Sequence, residues 1–198
     1  MHGVAILGEV EELLGNWNAV RALQERTEET VGGNRETPCV RNARSLLVCA
    51  LANVCLGDDD EARRLEQIAQ EHWMEGYGPF LDTPRIRTAL VRGDLDLVEQ
   101  LVRQPEQTRG WYKGWLSLVT RTAQLDALAA LGDEVRVEAE AEPLLRQGKY
   151  PEPFALRALG IVREDKALLD RADERFRALR LDWHAAQTKR LQSLKARS

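Results

Sequence analysis

Histidine, cysteine and paired carboxylates are the side chains that could serve as bases, nucleophiles or metal ligands, and in this sequence they are scattered. The histidines stand at positions 2, 72 and 184, with no His-x-x-x-His or Cys-x-x-Cys spacing to close a zinc site. Glu71-His72 and Asp182-Trp183-His184 each set a carboxylate near an imidazole, as a general base requires. Neighbours one or two apart on a helix do not face each other, so both histidines are expected at the surface or at helix caps. Cys39, Cys49 and Cys55 are odd in number and keep apolar company. They read as reduced core thiols of a cytoplasmic protein, because a nucleophile would need a partnered base and an electropositive setting. Neither Gly-x-x-x-x-Gly-Lys-Ser/Thr nor Gly-x-Gly-x-x-Gly occurs, so the usual backbone cradles for nucleotide phosphates are missing. No metal, no cofactor and no catalysis are expected.

One local composition fits recognition instead. Arg109, Trp111, Tyr112 and Trp115 cluster around Lys113, and Trp, Tyr and Arg are the commonest interface anchors. They are the candidate partner-binding residues, although the four-residue spacing of Trp111 and Trp115 also suits a buried helix face. Base stacking is the third option, and the formal net charge of −4 argues against a dedicated nucleic-acid binder. The last 16 residues hold Lys189, Arg190, Lys195 and Arg197 without an acid, which the helix macrodipole favours near a C-terminus.

These residues must be positioned by helices. Apolar residues recur at three and four, as in Val40, Ala43, Leu47, Ala50, Leu51 and Val54, and alternation is nearly absent. Thr37-Pro38 and Thr83-Pro84 resemble N-cap and N1 pairs, and Asp58 with Glu61 a capping box. Gly15-Asn16, Gly57-Asp58, Gly93-Asp94 and Gly132-Asp133 read as a C-terminal cap followed by a new start. The 198 residues suffice for a core without staples. The longest nearly uninterrupted apolar run, Leu46 to Leu56, contains Asn53 and is far short of the roughly 20 residues of a membrane span, and no membrane association is expected.

The four glycines are separated by 42, 36 and 39 residues, each near the middle of a helix–turn–helix unit. Such spacing marks a repeat. Superposing Gly15 on Gly57 pairs Val4 with Leu46, Leu7 with Cys49 and Gly8 with Ala50. Gly8, Ala50 and Ala172 are expected at close helix crossings. Leu159-Gly160 followed by Ala172 and Phe176 resembles the tetratricopeptide pattern. The fold class implied is all-α: a right-handed α-solenoid of about five antiparallel helical hairpins, TPR-like, with a C-terminal capping helix. It forms a single helical-repeat domain over 1–198, with possible lobes 1–78 and 79–198 meeting near Trp73, Tyr77 and Phe80.

The last third carries a more specific likeness. The stretch from Pro153 to Arg163, then Ala172, Arg175-Phe176 and Ala178-Leu179, then Trp183 to Thr188, resembles the C-terminal end of the helical-repeat region in large bacterial, actinobacterial-type signalling proteins. Those proteins join an ATPase module to a nucleotide cyclase or a transcriptional regulator. The resemblance implies a non-catalytic interaction or regulatory scaffold. Its partner would be another protein or the ATPase or regulator portion of a longer parent. A small-ligand effector-sensing module is the alternative, and a nucleic-acid-binding repeat a minor one. Where that family pattern leads one to expect glycine after Ala178-Leu179, this chain has Arg180, which is expected to strain or shift the turn.

Both chain ends raise the question of covering. From Trp183 onward the helix is expected to turn Trp183, Ala186, Leu191 and Leu194 inward. Val4, Ile6 and Leu7 form a candidate N-terminal interface, expected to be covered by preceding repeats or by a second copy in a homodimer. The competing arrangement turns Val4 and Leu7 inward and tolerates Ala5 and Ile6 outside.

Overall fold

A computed structural model describes residues 2–34, 39–73, 78–103 and 115–195. Among these there are twelve α-helices and no strand: α1 (His2–Leu14), α2 (Trp17–Ala22), α3 (Gln24–Gly32), α4 (Val40–Cys55), α5 (Asp59–Glu71), α6 (Gly78–Arg92), α7 (Leu95–Val102), α8 (Trp115–Ala130), α9 (Glu134–Gln147), α10 (Glu152–Val162), α11 (Lys166–Ala178) and α12 (Asp182–Lys195). The described residues up to Asp94 form one compact unit and those from Leu95 onward a second. Among them no helix is long and apolar enough to cross a membrane.

Four of the glycines act as the helix ends that the sequence suggests. Gly15, Gly57, Gly93 and Gly132 all have φ between 68° and 87°. In each case the glycine N–H and the following N–H reach back to the last turn, as Gly57 to Val54 O at 3.1 Å and Asp58 to Asn53 O at 2.9 Å. This closes the helix in a left-handed turn that a side chain would strain. Glu164 and Arg180 make the same turn without being glycine, at φ 54° and 58°. Arg180 therefore carries the strain expected of it and keeps the turn: Leu181 N–H still bonds Phe176 O at 2.9 Å. Asp58, Asp133 and Asp165 then cap the next helix with their carboxylates.

In the first unit α4 is the central element, buried continuously from Asn42 to Asn53. It packs against α1, α2, α5 and α6. Thr83-Pro84 does not begin a helix: α6 starts at Gly78 and Pro84 lies inside it. Thr37-Pro38 falls outside the described residues. Polar ties hold the flanks, with Asn53 Nδ2 donating to Gln24 Oε1 at 2.7 Å and Arg92 bridging Asp59 and Glu66 at 2.6 and 2.8 Å.

In the second unit α10 packs against α8, α9 and α11, and α12 against α11. Gly160 supplies the close crossing there, since a Cβ on it would lie 2.8 Å from Leu169 Cγ. The repeat alignment had placed one at Gly8, where a Cβ would meet nothing within 4 Å. Phe154, Leu156, Ala172, Phe176, Leu181 and Ala185 form the core. His184, expected at a surface or cap, is buried among them, 4.7 Å from the Phe154 ring and 5.4 Å from Phe176 by ring centroids. Arg157 packs against the same two rings, 5.2 and 4.8 Å from their centres, and grips Asp126 at 2.6 and 3.1 Å. It also reaches His184 O at 3.3 Å, which seats α12. Helix α12 accordingly turns His184, Ala185 and Thr188 inward, with Leu181 just before it. Trp183 and Leu191 are half-buried and Ala186 is exposed, so the inner face is rotated from the expected one.

Candidate functional site: the outer face of helix α1

The N-terminal helix is inside-out. Its inner side carries Val4 and Ala5 together with two carboxylates, Glu9 and Glu12. Its outer side carries Ile6, Leu7, Val10 and Leu14, which keep 51%, 49%, 45% and 42% of their surface in solvent. Of the candidate interface residues, Val4 is therefore core, while Ile6 and Leu7 are exposed together. The arrangement with Leu7 inward is not the one found.

The physical cause lies on α4 and α6, whose inner faces carry arginines. Arg41 Nη1 donates to both oxygens of Glu9 at 2.9 and 3.0 Å. Arg44, fully buried, donates from Nη2 to Glu12 Oε2 at 2.5 Å, with its Nε 3.6 Å from Glu9. Arg87 Nη1 lies 3.7 Å from Glu12 Oε1. A buried guanidinium without a counter-charge costs several kcal/mol, so α1 must present its carboxylates to α4 and α6. Its aliphatic residues then face outward. Burial pushes the Glu9 carboxyl above its ordinary range, against the pull of Arg44 and Arg41.

Arg44 has a second task, explained by the misplaced helix start. Pro84 has no N–H, so the Phe80 carbonyl one turn earlier loses its helical donor. Arg44 Nη1 donates to that carbonyl at 3.3 Å, and its guanidinium lies 5.6 Å from the centre of the Phe80 ring. The proline inside α6 and the buried arginine on α4 thus satisfy one another. Nearby, burial raises the Asp82 carboxyl to about 6, although Arg85 at 3.5 Å pulls it down.

The Glu9, Glu12 and Asp82 carboxylates are closed off by the helices that carry them. The thiols are equally quiet: burial pushes Cys49 and Cys55 up to about 12, so both stay protonated at neutral pH. Beside α1, a cleft of about 250 Å³ that includes open solvent is lined by Val4, Gly8, Val20, Leu23, Thr27 and Val48. Among the described residues no group of three or more His, Cys, Asp and Glu is placed to hold a metal ion.

What distinguishes the α1 face is its position relative to the left-handed turn that ends the helix. Counting back from the left-handed residue that closes each helix, Ile6 and Val10 stand nine and five positions before Gly15. The same two positions are Val48 and Ala52 on α4, Pro84 and Thr88 on α6, Ala123 and Ala127 on α8, and Ala155 and Leu159 on α10. All eight are buried; Ile6 and Val10 are exposed. Helices of this type have these positions covered, and on α1 they are open. Of the other sequence candidates, Arg109, Trp111 and Tyr112 lie outside the described residues. Trp115 opens α8, and its side chain lies outside the described part. Sequence reasoning missed the inward turn of Glu9 and Glu12; the signal available was Arg41, Arg44 and Arg87 at positions that otherwise read as core.

No family model matches the chain, and no curated protein or solved structure does.

Proposed function

We propose that this chain is a non-catalytic helical-repeat module, a TPR-like right-handed α-solenoid, that works by docking another protein in a regulatory or scaffold role. The observation that carries the reading is the outer face of α1: four exposed aliphatic side chains, of which Ile6 and Val10 stand at positions that are buried on α4, α6, α8 and α10. The largest exposed apolar patch on a monomer, typically a few hundred Å², is often functional. Three unpaired cysteines, Cys39, Cys49 and Cys55, suit the reducing cytoplasm. The quiet thiols and the paired, closed-off carboxylates support a scaffold over an enzyme.

The test is site-specific photocrosslinking in the cell of origin. A photoreactive residue at Ile6 or Val10 should give a discrete protein adduct, and one at exposed Gln67 on α5 should not. Equal yields at the two faces, or no adduct from α1, would remove this reading.

A further inference from the structure

We infer that the outer face of α1 pairs with the same face of a second copy of this chain, the two α1 helices lying antiparallel about a two-fold axis. The inference rests on the docking reading above and names the partner. Its first support is spacing. Gly3, Leu7, Val10 and Leu14 recur at four, three and four residues, the seam of a short coiled-coil-like contact. Gly3 is exposed with the three aliphatic residues, so the seam lies on one open face.

The second support is that the seam is its own complement. A two-fold axis between Gly8 and Glu9 sets Leu7 against Val10 of the other copy and Gly3 against Leu14. The largest side chain at one end thus meets the residue with none at the other. An isologous contact demands this kind of reciprocity. The stripe carries no charge, so bringing two copies together opposes no like charges. Glu11, whose carboxylate accepts from Asn16 Nδ2 at 2.9 Å, lies at its rim opposite Ile6 of the other copy.

A head-to-tail stack on the other terminal helix lacks such a fit, because the outer side of α12 presents Asp182, Lys189 and Arg190. Four half-exposed aliphatic side chains make a stripe smaller than the ~800 Å² that one partner gives to a standard interface. The pairing is accordingly weak and concentration-dependent.

The experiment is sedimentation equilibrium of the intact chain from about 5 to 500 µM, a range that reaches weak association. The average mass should rise from 22.4 kDa toward twice that value. Val10→Asp should weaken association at least about tenfold, the effect of ~1.4 kcal/mol, and Gln67→Asp should leave it unchanged. Orientation is read from disulfide capture in chains with Cys39 and Cys55 replaced by serine. A mixture of Gly3→Cys and Leu14→Cys chains should cross-link faster than either alone, since like positions in the antiparallel pair stand about 16 Å apart along the helix. A chain monomeric at 500 µM, a dimer indifferent to Val10→Asp, or a preference for like-with-like disulfides would each overturn the inference. A strict monomer whose α1 face still photocrosslinks to a different protein would overturn the second copy alone and leave the docking reading standing.

Discussion

Helix α12 turns His184, Ala185 and Thr188 inward and leaves Asp182, Lys189 and Arg190 in solvent, whereas α1 turns Glu9 and Glu12 inward and leaves Ile6, Leu7, Val10 and Leu14 in solvent. Each is seated by a buried arginine of its own unit, Arg157 for α12 and Arg44 for α1. The surroundings differ. Arg157 has one carboxylate, two ring faces and the carbonyl of His184, so α12 can be anchored through uncharged groups. Arg44 has fewer neutral partners, with Arg41 and Arg87 near the same carboxylates, and this crowd of cations calls for acids from α1. The contrast teaches that the charge facing a helix, as well as its own amphipathicity, decides which side turns in. When the two disagree, the apolar side is left for another molecule.

The sharpest way to break this comparison is to remove the arginines. Arg44→Ala should cost about 3–5 kcal/mol, because Glu9 and Glu12 lose a buried counter-charge and the Phe80 carbonyl loses its donor. Arg157→Ala should cost less, since the side chain of Asp126 keeps 16% of its surface in water. Urea unfolding monitored by circular dichroism measures both, and equal losses would mean that the two anchors do not differ as argued.

Next in size is a matched pair of lysines. Ala185→Lys forces a charge into the core of the second unit and should cost more than about 3 kcal/mol. Val10→Lys, tested at low micromolar protein, should stay within about 0.5 kcal/mol, as ordinary surface changes do. A large loss from Val10→Lys would show that the outer face of α1 is part of the folded core.

A third test uses pH. Burial lifts Asp82 from its ordinary 3.8 to about 6. Between those values the folded chain keeps a proton that the unfolded chain has released, so the stability contributed by Asp82 is greatest below about pH 4 and falls as pH rises to about 6. Asp82→Asn should remove that part of the slope and raise stability at pH 7 by about 1–2 kcal/mol. Unchanged urea midpoints across the range would place the carboxyl in a wetter setting.

The smallest expected effect is at the turn before α12. Arg180→Gly relieves a left-handed residue costing roughly 1–2 kcal/mol but loosens the unfolded chain, for a net gain of about 0.5 kcal/mol. A loss would mean that the Arg180 side chain contributes more than its backbone strain.

The all-helical character and the main turns were legible because they are local. Three-and-four spacing fixes a helix, and a glycine before Asn or Asp fixes a left-handed turn, whatever lies across the molecule. Even the strain at Arg180 could be anticipated from one residue out of pattern. Three features were not legible: the start of α6, the burial of His184 and the direction of α1. Pro84 is tolerated inside a helix only because Arg44, forty residues earlier, reaches the carbonyl that the proline strands. His184 is core only because Phe154 and Phe176 surround it. Val4 and Leu7 looked equivalent by hydropathy, yet one is buried and the other exposed, since Glu9 and Glu12 answer arginines on α4 and α6. Taken alone, the sequence determined that the chain is helical and how its glycine-closed helices end. Only the tertiary structure decided which way α1 faces, because that choice belongs to ion pairs between residues more than thirty positions apart.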